Sequence, residues 1–177
     1  LLSIEIQDCL TKDKELIKAI NCVSESFNEL FKTSEPLEEV FIKNGLKRFE
    51  EKVTLFLYNY AFKTAKDEAI AEFFRYKIDE RNIMAVYKHI KWELEESPEL
   101  ISGGKITRER LLKAFQKCSY AMLEDIIKSL TGIETDLQNI EDVLKKGMTL
   151  LLKRLSKSTL SNAVILHYLW VLYMEAL

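Results

Sequence analysis

The longest uninterrupted helical pattern in the chain covers residues 66–95, which contain neither glycine nor proline. Apolar side chains recur there at steps of three and four residues, the spacing that places them on one face of an α-helix. They are Ile70, Phe73, Phe74, Ile78, Ile83, Val86, Tyr87, Ile90 and Leu94. The pattern therefore predicts one long helix. Ser97 and Pro98 end it, because proline disfavours the helical conformation in the residue before it.

The same spacing recurs through the rest of the chain and predicts further helices. Their approximate ranges are 12–33, 37–42, 47–63, 108–118, 120–130, 136–155 and 160–177. Gly45 is expected to cap the second of them. The chain has only 5 glycines and 2 prolines, where average usage would give about a dozen and about nine. Since sheets need many such turn residues and no alternating strand pattern is present, the sequence predicts an all-α fold of antiparallel helix pairs.

Charge and cysteine content exclude several function classes. The formal net charge is −2, so no basic excess is available to neutralise a phosphate backbone, and we expect no nucleic-acid partner. Cys9, Cys22 and Cys118 are odd in number, widely spaced and without a C-x-x-C pair. That spacing argues against a disulfide framework and against zinc. They are expected to be buried or half-buried thiols, and no metal or cofactor is expected.

The segment ISGGKIT at 101–107 invites comparison with a phosphate-binding loop. Such a loop requires G-x-x-x-x-G-K-[ST] after a strand, whereas here the glycines are adjacent and isoleucine follows the lysine. The segment instead predicts a turn in which Gly103 and Gly104 take positive φ at no steric cost. Thr107 is then the expected N-cap of the next helix, with Glu109 in its first turn.

No catalytic constellation is visible in the sequence, and the chain is not expected to be an enzyme. The only histidines, His89 and His167, lie on different predicted helices, and neither has a serine elbow or an H-E-x-x-H motif around it. Residues 162–174 carry no formal charge over 13 positions, but about 20 residues are needed to cross a bilayer. This stretch therefore predicts a buried core helix and no membrane span.

Asp79 interrupts the apolar face of the long predicted helix. A carboxylate in such a place is costly unless it is paired or hydrogen-bonded. We therefore expect Asp79 to bond to a neighbouring helix, through backbone N–H groups at a helix start or through a lysine or arginine side chain. Asn82, one turn away at i+3, is the nearest candidate for the same polar network.

A weak internal repeat suggests that one helical module occurs twice. The segment FEEKV at 49–53 aligns with IEDVL at 140–144, and FFRYKID at 73–79 aligns with LWVLYME at 169–175. The second alignment places Glu175 opposite Asp79. The sequence thus predicts a single all-α domain over 1–177, with imperfect modules over about 47–130 and 131–177, the second incomplete. Residues 1–46 are expected to be helical, as the remainder of a preceding module.

Two stretches together resemble a known family. KIDERNIMAV at 77–86, followed closely by ISGGKITRERLLKAF at 101–115, is similar to the paired motif of the C subunits of V/A-type rotary ATPases, the counterparts of the eukaryotic V-ATPase d subunits. The matching positions are Ile78, Asp79, Asn82, Ile83, Gly103, Gly104, Lys105, Ile106 and Leu111.

The tail at 161–177 resembles a later element of the same family, Y-L-x-x-K-E-x-E-(I/V). It matches at Tyr168, Leu169, Glu175 and Leu177, and departs at Leu172, where the family tends to have a charged residue. Family members are longer and have three modules, so the chain is expected to be a fragment or a shortened relative.

The resemblance implies a funnel-shaped, non-catalytic protein of the central stalk. Such a protein sits on the cytoplasmic face of the membrane proteolipid ring, peripheral to the membrane, and receives the D and F proteins of the shaft. It couples ATP hydrolysis or synthesis to proton or sodium transport. In this interpretation Asp79, Asn82, Gly103, Gly104 and Glu175 are structural motif residues.

Two other functions remain open from the residues alone. A stand-alone α-helical scaffold that binds peptide or protein partners in a groove would share the helices and the lack of chemistry. A helical hydrolase is the more distant alternative, since the sequence shows no pair of nucleophile and base.

Overall fold

The computed structural model describes residues 16–135, 137–158 and 162–175 of the chain. Within these ranges the protein is built of seven α-helices and contains no strand. They are α1 (Leu16–Phe31), α2 (Leu37–Thr64), α3 (Glu68–Lys91), α4 (Arg108–Gln116), α5 (Tyr120–Thr131), α6 (Ile140–Ser158) and α7 (Asn162–Glu175). The predicted all-α class is confirmed.

The chain divides into two compact units, 1–57 and 58–177, with the boundary inside α2. This division was not anticipated, and the proposed modules over 47–130 and 131–177 stay a prediction.

The first unit is held together by aromatic packing. Phe27 of α1 and Phe49 of α2 are buried, and the rings of Phe27 and Phe56 meet edge to face with their centroids 4.9 Å apart. The connection between α1 and α2 is fixed by Asn28, whose side chain both donates to and accepts from the backbone of Glu35, each at 3.0 Å. The Asn28 hydrogen bonds and the aromatic contacts therefore both hold α2 against α1.

Gly45 marks a kink inside α2, where the sequence predicts the end of one helix and the start of another. Its backbone has φ 79° and ψ 179°, which is outside the helical region. Glycine adopts this conformation without a steric penalty. The break therefore lies at the expected residue, and the two helical pieces follow each other without an intervening loop.

The second unit is organised around α3, which contacts α4, α5, α6 and α7. Asp67 caps the start of α3 by accepting from the backbone N–H groups of Ala69 and Ile70. The core residues of this unit come from every helix between α3 and α6: Ile83, Val86, Leu111, Ala114, Leu123, Ile126, Ile127 and Leu144 are all completely buried. Burial of this apolar set is the main favourable term for the unit.

The helix α3 ends at Lys91, four residues before the predicted end. Leu94 continues the apolar spacing in sequence but is exposed, and Glu93 has a positive φ of 51°. The chain reverses here so that Leu100 and Ile101 can pack on the core. Nonlocal burial of these residues outweighs the local preference to extend the helix.

The predicted burial of residues 162–174 is wrong. In α7, Ala163 and Trp170 are buried, but Tyr168 and Leu169 are 63% and 55% exposed. Further exposed apolar side chains on α7 are Val164, Ile165, Val171, Leu172 and Tyr173. The helix packs on α6 and α3 through one face only, whereas its apolar residues occupy the whole circumference. Among the described residues, no helix combines the length and apolar character needed to cross a membrane.

The cysteine expectations also fail. Cys22 is disulfide-bonded, and Cys118 is an exposed free thiol in the sharp connection between α4 and α5, where its φ is 45°. An odd count with wide spacing does not exclude one bridge, because distance along the chain does not set distance in the fold. Cys9 lies outside the described residues.

Candidate functional site

Two polar side chains lie inside the buried face of α3. Asp79 has no exposed surface and Asn82 is 3% exposed, while their neighbours Ile78 and Ile83 are completely buried. Both polar side chains face the connection between α3 and α4. We call residues 98–107 of this connection the return segment.

Asp79 binds the end of the return segment. Its Oδ2 accepts from the backbone N–H of Lys105 at 2.9 Å, and its Oδ1 accepts from that of Ile106 at 3.1 Å. Both donors immediately precede α4, which begins at Arg108. The sequence predicted a hydrogen-bonded carboxylate with either backbone or lysine or arginine donors, and the structure shows backbone donors near a helix start. Burial raises the pKa of the Asp79 carboxyl above its ordinary value, and the two backbone hydrogen bonds oppose this without cancelling it.

Asn82 binds the start of the return segment. Its Nδ2 donates to the carbonyl of Ile101 at 2.9 Å, and its Oδ1 accepts from the Ile101 N–H at 2.8 Å. One amide therefore satisfies both backbone groups of a buried residue that has no helical or strand partner. The predicted link between Asn82 and Asp79 is wrong, because each side chain pairs with its own stretch of backbone.

The two glycines are needed for different reasons. Gly103 has φ +107°, and a Cβ placed there would meet only ordinary contacts with Ile78 and Phe62. Gly104 does not have positive φ, but a Cβ there would overlap the carboxylate of Asp79. The prediction of positive φ thus holds for Gly103 alone, and Gly104 instead allows the backbone to approach the carboxylate closely. Thr107 caps α4 by accepting from the Arg110 N–H, as predicted.

Replacing Gly103 by alanine should lower the free energy of unfolding by about 1–2 kcal/mol, because a residue with a Cβ resists a φ near +107°. Chemical denaturation measures the change. The matched control is Ser102→Ala, at the neighbouring exposed position, which should change stability by less than about 0.5 kcal/mol. Equal midpoints for the two variants would show that Gly103 is not strained.

Glu175 is the last residue of α7, but its side chain lies outside the described part of the chain. Its equivalence to Asp79 in a second module therefore stays a prediction.

Sequence reasoning missed the close contact between α3 and α6. Tyr76 of α3 is buried, and its hydroxyl donates to the carbonyl of Leu144 at 2.7 Å. Burial raises the pKa of this hydroxyl, so it stays protonated and donates. Gly147 lies at the crossing, where a Cβ would overlap the Tyr76 hydroxyl and the Thr131 side chain. The available signal was an isolated glycine inside a helical pattern, which often has a packing reason.

The chemistry of this arrangement is structural. The Asp79 carboxylate is buried and is occupied by backbone donors, so it offers no free base to a substrate. His89 bonds within its own helix, to the carbonyl of Ala85 at 2.8 Å. Within the described ranges, no group of three or more His, Cys, Asp or Glu side chains could hold a metal ion.

Fold and site together define an all-helical protein in which polar side chains of one central helix bind a return segment. A comparison with protein families matches residues 4–176 to the ATP synthase (C/AC39) subunit family. The chain belongs to this family, which confirms the resemblance to the V/A-type ATPase C subunits and their eukaryotic d counterparts. Searches among curated proteins and among solved structures found no match. The family is one of accessory subunits of the ATP synthase.

Proposed function

We propose that the chain is a non-catalytic central-stalk protein that couples the D–F shaft to the membrane proteolipid ring during proton or sodium transport. The observation that carries this proposal is the family match over residues 4–176. In this role the protein acts on the cytoplasmic side, peripheral to the membrane, and transmits torque without performing chemistry.

The mechanics of the second unit support a torque-transmitting role. A coupling element loses rotation if its parts move independently, so its connections should be fixed. Four hydrogen bonds between its backbone and the side chains of Asp79 and Asn82 hold the return segment on α3. The core residues of α4, α5 and α6 pack on the same helix. Because Leu100 and Ile101 of the return segment are buried and its backbone is bonded to α3, we expect it to open only with a large part of the unit.

The alternative is a stand-alone α-helical scaffold for protein partners. The exposed apolar face of α7 favours it, because contiguous exposed apolar side chains commonly mark interaction sites. Tyr168, Leu169 and Tyr173 are each at least half exposed on this helix. Such a face serves a coupling protein equally well, so the identity of the partners distinguishes the two functions.

A reconstitution with purified components tests the coupling function. The tagged chain should retain both the D–F shaft and the detergent-solubilised proteolipid ring at modest salt, and it should bridge the two in one complex. A tagged helical protein of similar size and charge is the control for nonspecific retention of the shaft and the ring. Retention of neither component, with a well-folded chain, would contradict the coupling function and favour the scaffold.

A further inference from the structure

A basic cleft lies beside the return segment and is bordered by α3, α4, α5 and α6. Its volume is about 510 Å³, within the range of small-molecule sites. The cationic side chains that line it come from three elements: Lys105 from the return segment, Arg110 from α4 and Arg154 from α6. All belong to the unit 58–177.

The charge of the cleft differs from that of the chain. The protein has a formal net charge of −2, yet the described lining of the cleft contains three basic residues and no carboxylate. Arg110 donates to the Ser129 hydroxyl at 3.1 Å and to the Asp125 carbonyl at 3.4 Å. These partners are neutral, so they orient the guanidinium without neutralising it. Lys105 is partly compensated by its ion pair with Glu72.

The remaining lining suits an organic anion more than a bare ion. Thr107 and Ser129 add hydroxyl groups, while Leu130, Leu150 and Leu151 form an apolar wall. Arginine guanidinium groups bind phosphate oxygens through paired, charge-assisted hydrogen bonds. A ligand with phosphate at one end and an organic body at the other would satisfy both parts of the lining.

We propose that this cleft binds a small organic molecule that carries phosphate groups, either free in solution or as a lipid headgroup. The cleft is concave, and its volume of about 510 Å³ suits a small ligand better than an acidic segment of a partner protein, which would need a longer groove. The phosphate contacts Arg110 and Arg154, and the organic body lies against the leucine side chains.

Titration calorimetry on the full chain tests the proposal, with pyrophosphate and inositol hexakisphosphate as probes at about 0.15 M ionic strength, where charges outside the cleft are largely screened. We expect one site per chain. Arg154→Gln should weaken binding by about tenfold, the loss expected for one charge-assisted contact. Adding Arg110→Gln should abolish it. The matched control is Lys153→Gln, which makes the same charge change on α6 at a neighbour outside the cleft, and it should change affinity by less than about twofold.

Vesicle flotation separates the two sources of phosphate. Selective binding to phosphatidylcholine vesicles that contain a phosphatidylinositol phosphate, competed by inositol hexakisphosphate, supports the lipid headgroup. Binding of the soluble probe alone supports a free metabolite. The proposal is overturned if neither soluble probe binds at millimolar concentration, if the double variant binds like the wild type, or if polyglutamate binds while the phosphates do not. Should Arg110→Gln fail to fold, Arg154→Gln against Lys153→Gln decides the test.

Discussion

Replacing Asp79 by alanine should lower the free energy of unfolding by about 2–4 kcal/mol. The variant leaves the N–H groups of Lys105 and Ile106 without their acceptor at the end of the return segment. Each stranded donor costs about 1–3 kcal/mol where water cannot replace the lost bond. Water that enters the space left by the side chain partly satisfies these donors, so the total is smaller than the sum of the two costs. Urea denaturation followed by circular dichroism gives the change.

Two further substitutions show whether the effect belongs to this carboxylate. Asp125→Ala removes an exposed carboxylate from α5 and should change stability by less than about 0.5 kcal/mol. Asp79→Asn keeps the shape but retains one acceptor oxygen, so its loss should lie between those of the two alanine variants. If Asp79→Ala were as stable as the wild type, the hydrogen bonds to the return segment would contribute nothing to the fold.

Replacing Gly147 by valine should also lower the free energy of unfolding by about 2–4 kcal/mol. Helix propensity alone would favour the replacement. Glycine is about 1 kcal/mol less favourable than alanine inside a helix. Here a side chain would overlap Tyr76 and Thr131 at the crossing of α3 and α6. Overpacking typically costs about 1–3 kcal/mol, and displacement of Tyr76 also loses its hydrogen bond to Leu144. Thermal unfolding measures the result.

The control for this crossing is Lys146→Val, which places the same side chain on the exposed side of α6. It should cost less than about 1 kcal/mol, the difference in helix propensity. Tyr76→Phe combined with Gly147→Ala should destabilise by less than the two single changes together, because removal of the hydroxyl relieves part of the overlap. Equal stability of Gly147→Val and Lys146→Val would show that α3 and α6 do not pack closely there.

The sequence alone determined the features that depend on local physics. A helical period over 66–95, interrupted by one carboxylate, predicted both the central helix and a hydrogen-bonded Asp79. The spacing around Gly103 excluded a phosphate loop and predicted a turn followed by an N-cap at Thr107, and the turn and the cap are both present. Periodicity, glycine stereochemistry and capping act within a few residues, so they can be read along the chain.

Only the tertiary structure decided which faces meet. Asn82 pairs with Ile101, 19 residues away, and not with the carboxylate one turn along its own helix. Gly104 and Gly147 are required by side chains from α3 and α5 that approach them in space. The apolar residues of α7 surround the helix, so its sequence does not indicate which side packs on the rest of the protein. The sequence therefore predicted burial, whereas most of the large side chains are exposed. Packing depends on contacts between distant parts of the chain, and the order of residues within one helix does not contain that information.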